Sequence, residues 1–199
     1  NLKSSSVTGN IYITGNTVVD SVKIISKNLP AISVGNLNLE GRKLVLTTIH
    51  RRENWGDNLL NIIRGIELSI EKNTDIIFLL PMHPNRIVRD PLKKAFLNNP
   101  NVILIEPLNY SEMISAMKSS YIILTDSGGI QEEAPGLGKP LLILRKTTER
   151  PEVVDSGNAV LVGSESNNIE KQITLLANDK IYYENMSKSQ NPFGDGNAS

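Results

Sequence analysis

The sequence predicts an α/β fold, a three-layer Rossmann-like parallel sheet. Two observations carry that expectation: short apolar runs that lack polar alternation, and segments of helical period lying between them. The apolar runs fall at 11–14, 43–48, 76–80, 102–105, 121–125, 141–144 and 159–162. Runs such as Ile76-Ile77-Phe78-Leu79-Leu80 contain no polar position, which is what a strand covered on both faces requires. Between them, Leu59, Ile62, Ile63, Ile66 and Ile70, and then Leu92, Ala95 and Phe96, recur at helical spacing. Strand and helix in alternation select a doubly wound sheet with right-handed crossovers. No fixed-period repeat or low-complexity linker divides the chain, so it reads as one domain, with a polar, Gly- and Asn-rich loose end at 187–199.

Composition narrows the function classes. Hydrophobic residues make up 39% of the 199 positions and charged residues 21%, the proportions of a globular chain. Lys plus Arg and Asp plus Glu are 21 each, so the formal net charge is +0. No cationic surplus is left to neutralise phosphates, and neither nucleic acid nor a membrane surface is an expected partner. With no cysteine there is no disulfide, thiolate zinc site or Cys nucleophile, and His50 and His83 are the only imidazoles. No run of 18 apolar residues and no signal-peptide pattern occurs, which points to a cytoplasmic protein. The chain opens at Asn1 without a Met and stops at Ser199 without a closing hydrophobic element, so it is expected to be a piece of something longer.

In doubly wound sheets ligands sit beyond the carboxyl ends of the strands, and four strand ends here are distinctive. After 121–125 comes Asp126-Ser127-Gly128-Gly129-Ile130-Gln131-Glu132-Glu133. Glycines at a strand-to-helix turn let backbone N–H groups approach an anion, the helix start favours negative charge, and Ser127 adds a hydroxyl donor. Glu133, a turn or more into the helix, can accept from a ribose diol. The competing reading is an ordinary Ser or Asp cap with Gly in a tight turn and acidic residues complementing the dipole. After 43–48, His50-Arg51-Arg52-Glu53-Asn54 gathers donors where a diphosphate can lie, and Asp57 or Asn58 can cap the next helix. His50 can hold a phosphate oxygen and assist its departure. After 76–80, His83 is fixed between two prolines, Pro81 and Pro84, as a ligand contact or a satisfied loop residue. The charged loop 145–152 completes the set. No zinc-ligand motif or Walker loop occurs, so neither a metal nor a nucleoside-triphosphate motor is expected.

Taken together, Ile13-Thr14-Gly15-Asn16-Thr17-Val18-Val19-Asp20, His50-Arg51-Arg52-Glu53-Asn54, His83-Pro84-Asn85, Thr125-Asp126-Ser127-Gly128-Gly129-Ile130-Gln131-Glu132-Glu133-Ala134-Pro135, Thr147-Thr148-Glu149-Arg150-Pro151-Glu152 and the terminal Asn191-Pro192-Phe193-Gly194-Asp195-Gly196 resemble the non-hydrolysing UDP-N-acetylglucosamine 2-epimerases, in family order. The likeness runs from about Gly15 to Ser199 and covers only the C-terminal half of such an enzyme. It implies one half of a two-domain glycosyltransferase-B architecture, the UDP-binding half. It further implies that Ser127, Gly128 and Gly129 hold the diphosphate, that His50 contacts the phosphates and is catalytic, and that Glu133 binds the ribose. Arg51 and His83 would help hold a second, regulatory UDP-GlcNAc.

The resemblance implies interconversion of UDP-GlcNAc and UDP-ManNAc by elimination of UDP to a 2-acetamidoglucal and re-addition, without a redox cofactor. The carboxylates that manage the C2 proton would come from an N-terminal domain absent from these residues. The chain alone is therefore expected to bind UDP without epimerising, and the whole enzyme to be a homodimer. The alternatives are a UDP-sugar glycosyltransferase domain and a non-catalytic nucleotide-sugar-binding module.

Overall fold

Six of the apolar runs become strands in the computed structural model, which describes residues 9–12, 14–30, 39 and 41–199. They are β1 (Lys43–Thr48), β2 (Ile76–Pro81), β3 (Val102–Ile105), β4 (Ile122–Thr125), β5 (Leu141–Ile143) and β6 (Ala159–Leu161). All pair in parallel, in the order β3-β2-β1-β4-β5-β6. The helices are α1 (Thr17–Asn28), α2 (Asp57–Lys72), α3 (Arg86–Phe96), α4 (Tyr110–Ser119), α5 (Gly128–Glu133), α6 (Pro151–Asp155), α7 (Ser166–Asn178) and α8 (Lys180–Ser187).

The period-2 alternation of each strand sorts its side chains into two cores. Val45, Phe78, Leu80, Ile122, Leu124 and Leu142 meet α2, α3, α7 and α8 on one face. Leu44, Leu46, Ile77, Leu79, Ile123 and Ile143 meet α1, α4, α5 and α6 on the other. Every residue of β2 is buried, which accounts for its unbroken apolar run. Each large side chain so buried contributes about 1.5–3 kcal/mol relative to exposure. On α2, Leu59, Ile62, Ile63 and Ile66 form the inward stripe, and close approach to α7 is possible because residue 65 is glycine. A Cβ there would lie 2.9 Å from Cβ of Ile169.

Three expectations are corrected. The run at 11–14 makes no strand: Ile11, Tyr12 and Thr14 have no strand structure, and Ile13 lies outside the described residues. Tyr12 is 78% exposed and Thr14 is exposed, so the face these two side chains would share is not covered by a sheet. Neither Asp57 nor Asn58 caps α2; Gly56 occupies that position with φ 69°, and Asn58 instead donates to the Glu53 carbonyl at 2.7 Å. The polar tail is not loose. Asn16 N–H donates to the Phe193 carbonyl at 2.7 Å, and the buried Asp20 carboxylate accepts from the Ala198 and Ser199 amides at 3.0 and 3.2 Å. Polar composition marks these residues as solvated, but their backbone amides find acceptors on α1.

Candidate active site

The strand order reverses between β1 and β4, so their crossovers depart to opposite faces and leave a crevice beyond their carboxyl ends. Thr48 and Thr125 stand opposite each other in the pairing and share a hydroxyl hydrogen bond of 2.5 Å. One residue further, the Asp126 side chain crosses from the β4 loop to the β1 loop. Its carboxylate accepts from the backbone N–H of His50 at 3.0 Å, from that of Arg51 at 2.9 Å and from Asn54 Nδ2 at 2.9 Å. Asn54 also donates to the Leu144 carbonyl at 3.0 Å, which brings the end of β5 into the same arrangement.

This crossing takes Asp126 away from the cap of α5. Asp126 is committed to β1, and Ser127, at the N-cap of α5, makes no side-chain capping bond. The first amides of α5 and the Ser127 hydroxyl are therefore not used up by a cap. Neither Gly128 nor Gly129 has a positive φ, so the glycines do not serve a special turn conformation. They keep the approach to the backbone N–H groups clear of side chains. The ideal Cβ position at Gly128 lies 3.5 Å from Arg51 Nη2, so the guanidinium stands directly beside the turn.

Arg51 is aimed there by Glu149, whose carboxylate accepts from its Nη1 at 3.2 Å. Glu149 also pairs with Arg145, a nearly buried guanidinium that donates through Nε to Glu53 at 2.7 Å. The Arg145 hydrogen bond, its own backbone and the nearby Arg51 hold the Glu149 carboxyl down at about 2. The charged loop 145–152 thus fixes the position of a cation at the crevice.

His50 carries its imidazole at the solvent-exposed lip of the crevice, 5.6 Å from that of His83 between ring centroids. Desolvation of the ring lowers the His50 pKa below its ordinary 6.5; the Asp126 charge raises it and His83 lowers it further. His83 Nδ1 accepts from the Asn85 N–H at 3.1 Å, so the loop histidine is anchored by its own turn and keeps Nε2 free to donate.

Glu133, at the other end of α5, is 8% exposed. Burial raises its pKa, and a hydrogen bond from the Tyr110 hydroxyl works against that rise. The same environment pushes Tyr110 up to about 12. Tyr110 is held at the start of α4 by a capping box, in which Asn109 Oδ1 accepts from the Glu112 N–H at 3.0 Å and Glu112 accepts from the Asn109 N–H at 2.8 Å. Neighbouring Glu132 turns away, pairing with Arg150 and accepting from Asn16 Nδ2 at 3.1 Å.

The structure therefore brings His50, Arg51, Ser127, Gly128 and Gly129 to one crevice, sets His83 against His50, and places Glu133 farther along α5 beside Tyr110. Sequence reasoning overlooked Asp126 as the connecting residue, together with Asn54, Tyr110 and Arg145. An acidic residue directly after a central strand, beside a loop rich in N–H donors, is the signal that could have found Asp126. Among the described residues no group of three or more His, Asp or Glu is arranged for a metal, and no helix is long and apolar enough to cross a membrane.

The six-stranded parallel sheet, with helices on both faces and its order reversing between β1 and β4, places the chain in the Rossmann-like α/β class. The family model for UDP-N-acetylglucosamine 2-epimerase matches residues 2–199, and the chain belongs to that family. It is 44% identical to a UDP-N-acetylglucosamine 2-epimerase of Campylobacter jejuni over 200 residues, covering 94% of this chain and 52% of the relative. The crystal structure of UDP-GlcNAc 2-epimerase from Neisseria meningitidis bound to UDP-GlcNAc superimposes with a TM-score of 0.85 at 42% identity, covering 99% of this chain and 55% of that one. The C-terminal domain of a group 1 glycosyl transferase from Francisella tularensis shares the fold alone, at TM-score 0.56 and 19% identity over 76% of this chain and 82% of that one. The chain thus spans about half the length of the epimerases it matches.

Proposed function

We propose that this chain is the UDP-binding half of a non-hydrolysing UDP-GlcNAc 2-epimerase, with the substrate held between it and an N-terminal domain of the same protein. The observation that carries the reading is the commitment of Asp126 to the β1 loop, which leaves the Gly128 and Gly129 amides and the Ser127 hydroxyl available to a diphosphate beside His50 and Arg51, while the Ser127 amide donates to Thr125 Oγ1 at 3.0 Å. In this reading Glu133 accepts from the ribose hydroxyls, and His50 donates to the phosphate and stabilises it as it leaves.

The reaction is elimination of UDP from UDP-GlcNAc, with loss of the C2 proton and formation of 2-acetamidoglucal, followed by re-addition of proton and UDP to give UDP-ManNAc. Preorganised donors aimed at the oxygen that gains charge lower the barrier to departure. The base for C2 lies in the other domain, and holding base and leaving group in one geometry supplies much of the acceleration. Arg51 and His83 are assigned to a regulatory UDP-GlcNAc beside the active site, and the complete enzyme is a homodimer.

Calorimetric titration with UDP tests the binding role, and incubation with UDP-GlcNAc tests the division of labour. The 199-residue chain is expected to bind UDP and to leave UDP-GlcNAc unchanged. Robust epimerisation by the chain alone would overturn that division. For the complete protein, UDP-ManNAc as product supports the non-hydrolysing reaction, whereas free ManNAc with UDP identifies the hydrolysing one.

A further inference from the structure

Asp126 is fully buried, yet no Lys or Arg side chain pairs with it among the described residues. Its donors are all neutral: two backbone amides and one carboxamide. The nearby guanidiniums are engaged elsewhere, Arg51 with Glu149 and Arg145 with Glu53 and Glu149. Burying a charge without a countercharge is costly unless hydrogen bonds replace its hydration, and three donors do so here. An asparagine could not substitute, because it offers one acceptor oxygen and would turn an NH2 group toward N–H donors.

We propose, on the reading of the crevice given above, that Asp126 is the positioning residue of the site: it locks the His50 loop to the Ser127–Gly129 loop, and its negative charge favours the protonated imidazole of His50. The first part follows from geometry. The two loops come from strands paired side by side, and Asp126 is the side chain that spans from one to the other through the amides of His50 and Arg51. The second follows from placement. Around His50 stand His83 after β2, Asp126 after β4, Arg51, Arg52 and Glu53 on its own loop, and Arg145 and Glu149 after β5. Within that set, Arg51, Glu53, Arg145 and Glu149 neutralise one another in ion pairs. Asp126 is the carboxylate that opposes the desolvation and the His83 ring. A protonated His50 has two N–H donors and a charge to offer a phosphate oxygen. A neutral one has a single donor.

With only two histidines in the chain, the imidazole signals of His50 and His83 can be followed by NMR as a function of pH, without ligand. Asp126→Asn is expected to lower the His50 titration midpoint by about one unit, a tenfold loss of proton affinity. Asp126→Glu, which keeps the charge, is expected to restore most of the shift even where it weakens UDP binding. A folded Asp126→Asn chain with an unmoved His50 midpoint overturns the electrostatic role. Should Asp126→Asn fail to fold, the unmodified chain decides the locking role. Scalar couplings across the hydrogen bonds from the His50 and Arg51 amides to the Asp126 side-chain carbon are expected, and their absence overturns it. None of these readouts uses UDP, so an unmodified chain that fails to bind UDP refutes the proposed function and leaves the Asp126 assignment to be judged on its own.

Discussion

Among the described residues, the hydroxyl of Tyr110 is the hydrogen-bonding group that offsets the burial of the Glu133 carboxylate. Because burial raises the pKa of Glu133, folding favours its protonated form. The associated stability is fully present below the ordinary 4.5 and is lost as pH rises through the folded value. At neutral pH the charge is a cost to the empty domain. Glu133→Gln should therefore raise the melting temperature at pH 7 and shrink that gain toward pH 4. Calorimetry should show UDP affinity falling by roughly ten- to a hundredfold for Glu133→Ala, as expected for a charged acceptor worth about 1.5–3 kcal/mol. Unchanged affinity would remove Glu133 from the ribose site.

Gly128 separates fold from function in the same way. Its φ is ordinary, and a Cβ would make only van der Waals contact with Arg51 Nη2, at 3.5 Å. Gly128→Ala is expected to be neutral or stabilising, by about 0.4–1 kcal/mol, because the unfolded chain loses freedom. The same methyl group stands before the α5 amides, so UDP should bind at least about tenfold more weakly, or about 1.4 kcal/mol. Chemical denaturation and calorimetry on one protein sample check both halves.

Gly65 behaves oppositely. An added Cβ would lie 2.9 Å from Ile169 Cβ and 3.1 Å from the Ser166 carbonyl oxygen, at the α2–α7 contact far from the crevice. Gly65→Ala should cost about 1–3 kcal/mol of stability through overpacking. UDP affinity below the melting range should not change.

The Arg145 cluster predicts an acid-sensitive step. Glu149 is held down at about 2, chiefly by Arg145, so its contribution is present above the ordinary 4.5 and lost as pH falls from there toward 2. Arg145→Met should flatten the stability profile over that interval and release Arg51 from its place beside Gly128. Thermal melts between pH 2 and pH 6 on both proteins provide the measurement.

The sheet was legible because a strand buried on both faces leaves an unbroken apolar run, as 43–48 and 76–80 do. The failure at 11–14 has the same origin. Four residues of high β propensity look like a strand whether or not a partner edge exists, and pairing is a long-range property. The candidate site residues were legible by position, since strand ends can be read once strands are known. Their couplings were not. Asp126 could as well have capped α5, and only the strand order, which places β4 beside β1, turns its carboxylate toward His50 and Arg51. Likewise, Tyr110 reaches Glu133 because α4 and α5 cover the same face of the sheet.

The β1–β4 seam that carries the crevice joins residues far apart along the chain, Thr48 and Thr125 being separated by 77 positions. Closing so long a loop is entropically slow to repay, and parallel pairings of this kind form late relative to local helices. The crevice is thus assembled by a non-local folding event. A nascent chain can complete β1, β2 and β3 without possessing any part of the site as a working unit. A ligand bridging the two loops would act as a clamp on that seam, slowing its opening more than it slows fraying elsewhere in the sheet.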